Sequence, residues 1–327
     1  MSSRDLSASV IHTRDLLAVG HTAASIRREL RAGRLFRLRR GAYCESALWR
    51  SLDPADQHVL RAAVVCSEVE DAMLCGISAA AVWGMPLIVS WPDEVSLLTR
   101  YRGGGTSEPG VRRTVVGARD APVTSHRGLP LTSPARTAID LASGLGFRSG
   151  VVAMDWLLAR GLERDDLFTA ISSRTSRRGR AAALAAAEFA DAGSESPGES
   201  VARAAIFEAG FVVPELQHEL RDAEGTMRLD FWWPGVDVAG EFDGRVKYGA
   251  GFQEGLEPTD AVWREKRRED RVRRRAAGVV RLVWSDLWDR DLLVSLLEAA
   301  GVPRRQLFVT GPRSLRSDPD AAGSERT

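Results

Sequence analysis

The chain has 327 residues, 44% hydrophobic and 27% charged, with 45 Lys and Arg against 44 Asp and Glu for a net charge of +1. That length predicts two or three domains with ample apolar material for a core, while so small a net charge says nothing by itself about nucleic acid. Cys44, Cys66 and Cys75 lack CxxC spacing and exclude a disulfide framework or a Cys-rich zinc site, and the five histidines show no ligand-like pattern. No stretch approaches ~20 uninterrupted apolar residues, which argues against a membrane partner, and the N-terminus lacks a basic-then-apolar signal, so the expected location is the cytoplasm.

In chain order, Thr13 is placed to cap a short helix over Asp15 to Val19 that ends at Gly20. Thr22 is placed to cap a second helix, AASIRRELRA, closed by Gly33. Ile26 and Leu30 lie one turn apart and face a core, which leaves Arg27, Arg28 and Arg31 outward. LFRLRRGAYC then alternates apolar and basic residues around an Arg40-Gly41 turn, as a small hairpin does. Residues 1–50 are therefore expected to form a winged helix that binds DNA. Its second helix suits the major groove, and Arg34, Arg37, Arg39 and Arg40 suit phosphates from the wing. Seven arginines against one glutamate over residues 25 to 40 favour that reading over a merely solvated face.

Residues 51–187 are expected to form a middle α/β region. It holds a helix over about 55–67, another over AAAVWG, a strand at EVSLLT and a Gly- and Arg-rich loop, YRGGGTSEPGVRR. LTSPARTAIDLASG, opened by Thr132, Ser133 and Pro134, and VVAMDWLLARG read as two further helices. Nothing there has catalytic spacing. Asp140 and Asp155 are assigned to capping or to ion pairs with Arg136 or Arg160. Beyond a polar stretch and an Ala-rich one, residues 188–198 read as a linker running into a helix start at GSESPGES. Residues 311–327 carry little apolar content and read as a disordered tail.

Residues 199–302 carry the chemistry. Their expected order is helix (199–209), strands (211–221, 226–233 and 236–243), helix (260–277), strand (279–284) and helix (286–299). That order predicts a mixed sheet with helices against it, and an α+β fold for the whole chain. The last strand, VVRLVW, is apolar as a covered central strand would be. Asp230 and Glu241 fall on adjacent strands joined by a Trp-Pro-Gly turn, so the two carboxylates are expected side by side. A close carboxylate pair suits Mg²⁺ chemistry on phosphates.

SPGES, RLDFWWP, EFDG, the EKRREDRVR helix and GVVRLVW, in that order, resemble domains related to very-short-patch-repair endonucleases, common in actinobacteria and belonging to the PD-(D/E)XK superfamily. The N-terminal segment with RLRRGAY resembles the winged-helix domain of AbiEi-type abortive-infection antitoxins. SAAAVWGMPL and LTSPARTAIDLA resemble the region that joins such parts. The first resemblance implies Asp230 and Glu241 as ligands of Mg²⁺ (or Mn²⁺), Glu199 as a third carboxylate, and coordination by the Phe242 carbonyl. It also implies a lysine two residues after the second acid, where this chain has Asp243. Lys247 and Lys266 are the nearby substitutes.

Each assignment has an alternative. Glu199 completes a Ser196-Pro197-Gly198-Glu199 capping box. Asp230 can pair with Arg228 or Arg281, Asp243 can cap the turn at Gly244, and Lys247 can be a surface lysine. The helix WREKRREDRVRRR is either an ion-paired solvated face or a phosphate-binding one carrying Lys266, Arg267, Arg271 and Arg274. Trp232, Trp233, Trp263, Trp284 and Trp288 read as core rather than base-stacking platforms. Two functions follow. One is a DNA-binding protein with a nuclease-like domain that hydrolyses phosphodiesters with Mg²⁺. The other is a non-enzymatic regulator or antitoxin with a retired nuclease fold and a cognate toxin as partner. Recognition of damaged or mismatched DNA is a third possibility, inferred only from the repair-endonuclease likeness.

Overall fold

The computed structural model describes residues 6–99, 109–115, 123–244 and 260–306. A 3₁₀ turn at Leu6–Ser9 leads to β1 (Ile11–His12), α1 (Thr13–Ala18), α2 (Ala23–Arg31), β2 (Leu35–Arg39), β3 (Ala42–Glu45) and α3 (Ser46–Ser51). There follow α4 (Pro54–Glu68), α5 (Gly76–Trp83), β4 (Val95–Thr99), β5 (Val111–Val115), β6 (Val123–His126), β7 (Leu129–Thr132), α6 (Pro134–Leu145), α7 (Phe147–Leu158), α8 (Arg164–Ser173) and α9 (Arg180–Phe189). The last part comprises α10 (Pro197–Glu208), β8 (Glu215–Asp222), β9 (Gly225–Trp233), β10 (Val238–Phe242), α11 (Asp260–Arg275), β11 (Gly278–Leu282) and α12 (Arg290–Ala299). The fold is α+β.

Local chemistry places the N-terminal elements. Thr22 accepts a hydrogen bond from the Ser25 N–H at 3.1 Å and starts α2, which buries Ile26 and turns Arg27, Arg28 and Arg31 outward. The β2–β3 hairpin turns at Gly41, whose φ of +84° suits a residue without a side chain. β1 pairs with β3, giving the strand order β1–β3–β2. Leu38, Ala42 and Cys44 from this hairpin share one apolar core with α4, α5, β4 and β7, and Phe36 stacks on Trp49 with ring centroids 4.1 Å apart.

The middle region departs from expectation in three places. Val111–Arg113, read as part of a loop, begin β5, which pairs in parallel with β4; residues 101–108 of that loop lie outside the described residues. The polar and Ala-rich stretch folds into the end of α8 and into α9, whose small side chains Ala183, Ala186 and Ala187 are buried against α6 and α7. The segment expected as a linker is held at several points. It begins on α9, the Asp191 N–H donates to Asp155, and Ser194 is buried.

Asp140 pairs with Arg136 at 2.9 Å as expected. Asp155 pairs with Arg203 of α10, not with Arg160, which lies over the Trp156 ring instead. Charge matching within one helix pointed to Arg160, but α10 packs on α7 and brings the buried guanidinium closer.

The C-terminal sheet has the order β11–β10–β9–β8, parallel between β10 and β11 and antiparallel elsewhere. It is mixed, as expected. β11 is its edge strand among the described residues, not a central one. It buries Val280 and Leu282 on one face, and the apolar run marks that face rather than a second neighbour. β10, with Val238, Ala239 and Gly240 all buried, occupies the interior. Trp232 and Trp233 are core, as expected, and Trp284 packs against that core. Trp288 is 56% exposed beside Arg148, because it precedes α12 rather than lying within the sheet. The side chain of Trp263 is outside the described residues. No helix among the described residues is long and apolar enough to cross a membrane.

Candidate functional site

The register of the sheet builds a row of polar side chains. β9 and β10 pair Phe231 with Gly240, so the next position places Asp230 across from Glu241. β8 and β9 pair Leu216 with Phe231 and His218 with Leu229, which places Gln217 across from Asp230 on the other side. β10 and β11 pair Glu241 with Arg281. The row across four strands is therefore Gln217, Asp230, Glu241, Arg281. Sequence reading found its middle two members, named Arg281 only as an alternative partner of Asp230, and missed Gln217.

Asp230 Oδ2 accepts the backbone N–H of Phe242 at 2.8 Å, which pins β10 where the regular ladder stops. Burial pushes the Asp230 carboxyl above its ordinary range, and Glu241 adds to that. Glu199, 6% exposed, comes in from α10. Its Oε1 accepts the Ser196 hydroxyl at 2.7 Å, and its Oε2 accepts the Glu195 N–H and the Gln217 amide, both at 2.9 Å. Burial raises the Glu199 carboxyl, and nearby Asp230 raises it further. Glu199 thus caps its helix and also borders the row, so the two expected roles are not alternatives in space. Gln217 sits at φ +53°, a left-handed conformation that costs a non-glycine residue of order 1–3 kcal/mol. That turn of the backbone accompanies its bond to Glu199.

Glu241 is 15% exposed and both its oxygens are engaged. Arg268 of α11 donates to Oε1 at 2.5 Å, and Arg281 donates to Oε2 at 3.2 Å. Arg268 also donates to the Arg228 carbonyl at 2.8 Å, while the Arg228 side chain pairs with Glu195 at 2.6 Å. Asp230 therefore pairs with neither Arg228 nor Arg281. Asp243 directly follows β10, and its N–H donates to the Leu282 carbonyl at 2.9 Å. Lys247 lies outside the described residues. Lys266 lies on α11, and its side chain is likewise outside them.

Tested as a divalent-cation site, this donor set does not fit. Mg²⁺ needs carboxylate oxygens free to approach to about 2.1 Å. The oxygens of Glu241 face guanidiniums, those of Glu199 are taken by three donors, and Asp230 spends one on a backbone N–H. Among the described residues no group of three or more His, Cys, Asp or Glu is arranged to hold a metal ion.

Several arginines of the basic helix are engaged within the chain. Arg271, expected on DNA, is 15% exposed and clasps Asp222 at 2.9 and 2.5 Å and the Gly225 carbonyl at 3.0 Å, closing the β8–β9 turn. Arg274 pairs with Glu224 at 3.1 Å, and Arg275 donates to the Arg221 carbonyl at 3.0 Å. Val272 is buried in one cluster with Met227, Leu229 and Ala239, so its face of α11 packs on the sheet. Arg267 is exposed.

The Arg271 guanidinium holds the Asp222 carboxyl down from 3.8 to about 2. A depressed carboxyl contributes stability that is present above the unfolded value and lost as pH falls through the folded one. Wild type is thus expected to be more stable than Asp222→Asn at pH 7, and the two unfolding curves are expected to converge between about pH 4 and pH 2. Acid titration followed by circular dichroism measures this; a gap that persists at pH 2 contradicts it.

In the N-terminal unit, Arg27, Arg28, Arg31, Arg37 and Arg40 are exposed and make no ion pair among the described residues. Arg39 turns back to Glu68 of α4 at 3.4 Å, and Arg34 clasps Glu29 at 2.5 and 2.7 Å. These two are engaged within the chain because acids from neighbouring elements reach them, which local sequence does not reveal for Glu68.

No family model matches the chain. It is 33% identical over 157 residues, 46% of its length, to "Uncharacterized protein Rv2248" of Mycobacterium tuberculosis strain ATCC 25618 / H37Rv. "Uncharacterized protein MT2308" of M. tuberculosis strain CDC 1551 / Oshkosh matches equally. The chain spans 58% of the length of these curated relatives. Among solved structures, the one titled "Crystal structure of RV2827C protein from Mycobacterium tuberculosis" aligns with a TM-score of 0.33 and 17% identity, over 61% of this chain and 79% of that one. A score that low supports no conclusion about fold.

Proposed function

We propose that the chain is a cytoplasmic DNA-binding regulator that docks through α2 and the β2–β3 wing. The observation that carries this reading is the set of five exposed arginines, Arg27, Arg28, Arg31, Arg37 and Arg40, on one helix and its adjoining hairpin, which make no ion pair among the described residues. Each guanidinium that meets a phosphate releases counterions, so binding is expected to weaken with salt along a log–log slope of about −4 to −5. Arg27→Ala with Arg28→Ala is expected to reduce that slope by about 2 and to weaken binding to all duplexes. Fluorescence anisotropy of a labelled duplex across a salt series measures both. A slope unchanged by the double replacement overturns the reading. A cognate toxin as protein partner, implied by the antitoxin-like wing, belongs to the same proposal, and stoichiometric co-purification with a co-expressed neighbour tests it.

A second reading is Mg²⁺-dependent phosphodiester hydrolysis by the C-terminal domain. It is favoured by Asp230 and Glu241 lying across from each other on β9 and β10, and it requires Arg268 and Arg281 to leave Glu241. Cleavage of DNA or RNA in Mg²⁺ or Mn²⁺ by wild type, abolished in Asp230→Ala, is the result that would establish it.

A further inference from the structure

One carboxylate of the polar row, Glu241, is matched to cations that the chain itself supplies. Glu241 receives one guanidinium from the neighbouring strand, through the Glu241–Arg281 register, and one from α11 through Arg268. Each oxygen has its own partner, so the two arginines do not compete. Arg268 is fixed further by the Arg228 carbonyl. An incoming divalent cation at Glu241 would meet two positive charges within hydrogen-bond range of the atoms it needs. Like charges so placed repel strongly in a partly buried site. Asp243, directly after β10, adds no positive charge to the row. The positive charge that such a row needs is delivered by arginines from other elements.

We infer that Arg268 and Arg281 form a lock on Glu241. They occupy the place of a divalent cation, so that the wild-type row does not take up Mg²⁺ or Mn²⁺, and removing them uncovers a cation site at Asp230 and Glu241. The inference concerns this row alone and stands apart from DNA binding by α2 and the wing.

The probe is Mn²⁺ itself, followed by its electron paramagnetic resonance signal, which drops on binding, and by calorimetry. Wild type and Glu241→Gln are expected to show no saturable uptake. Arg268→Gln with Arg281→Gln is expected to gain one saturable site, at least tenfold tighter than any wild-type signal, and to lose it when Glu241→Gln is added. Arg281→Gln alone removes only the more exposed partner, 43% exposed, and is expected to gain a weaker site; it keeps the test decisive where the double variant unfolds. Saturable uptake by wild type that Glu241→Gln removes overturns the lock. Absence of uptake in every folded arginine variant overturns it as well, because the arginines would then not be what excludes the cation.

Discussion

Replacing Arg203 by alanine is expected to cost about 3–5 kcal/mol of folding stability. Arg203 is 3% exposed on α10, and its Nη2 donates to both oxygens of Asp155 at 3.0 and 2.9 Å. Its Nη1 donates to the Phe189 carbonyl at 2.8 Å, and its guanidinium lies 4.3 Å from the Phe189 ring centroid. Asp155, 1% exposed, also accepts the Asp191 N–H at 2.7 Å. Truncating the arginine leaves a carboxylate buried among α7, α10 and the 189–191 segment without a countercharge, its remaining partners being the Asp191 N–H and the Ser200 side chain. The large cost comes from that stranded charge rather than from the net worth of the pair. Burial already pushes the Asp155 carboxyl up, so protonation relieves the variant, and its deficit is expected to shrink as pH falls. Arg203→Met combined with Asp155→Leu is expected to recover part of the loss, limited by the Asp191 N–H left without an acceptor. Urea unfolding followed by circular dichroism measures Arg203→Ala, the double variant and its two singles, Arg203→Met and Asp155→Leu. A double variant as unstable as the sum of the singles would show that the two residues do not act as a pair.

Gly198→Ala is expected to destabilise by 1–3 kcal/mol, toward the upper end. A Cβ at Gly198 would sit 1.9 Å from Phe242 Cε1 and 2.5 Å from both Cδ1 and Cζ, so the ring must leave. Phe242 is held in a T-shaped contact with Trp284, centroids 5.3 Å apart at 88°, and its N–H anchors Asp230. Moving it therefore disturbs the polar row as well as the core. Helix propensity pulls the other way, since alanine is favoured over glycine within a helix by about 1 kcal/mol. The clash is larger and decides the sign. In a Phe242→Leu background the same substitution is expected to cost far less. A Gly198→Ala protein with wild-type thermal stability would refute the close approach of helix and ring.

Several local features were legible because each is set by a few adjacent residues. Thr22, Ser133 and Ser196 each cap the helix they precede, and Pro134 and Pro197 open theirs. Alternation of apolar residues around the Trp-Pro-Gly turn placed β9 and β10, and with them the Asp230–Glu241 pair. What stayed hidden depends on contacts between residues far apart in sequence. Arg203 lies 48 residues from Asp155, Arg268 27 from Glu241, and Arg271 49 from Asp222. A run of arginines on α11 reads alike whether it faces phosphates or clasps a hairpin, because the deciding partners sit on β8–β10. Gln217 had no signal either. Its left-handed backbone is imposed by tertiary context on a residue that rarely adopts it.

The apolar core that the β2–β3 hairpin shares with α4, α5, β4 and β7 bears on mechanics. Leu38, Ala42 and Cys44 would be bare surface on a fragment ending at residue 50, so the arginine-bearing element is one wall of a larger body rather than a bead on a tether. A duplex that twists or displaces α2 delivers its torque to α4 and α5 directly, with no slack loop to absorb it.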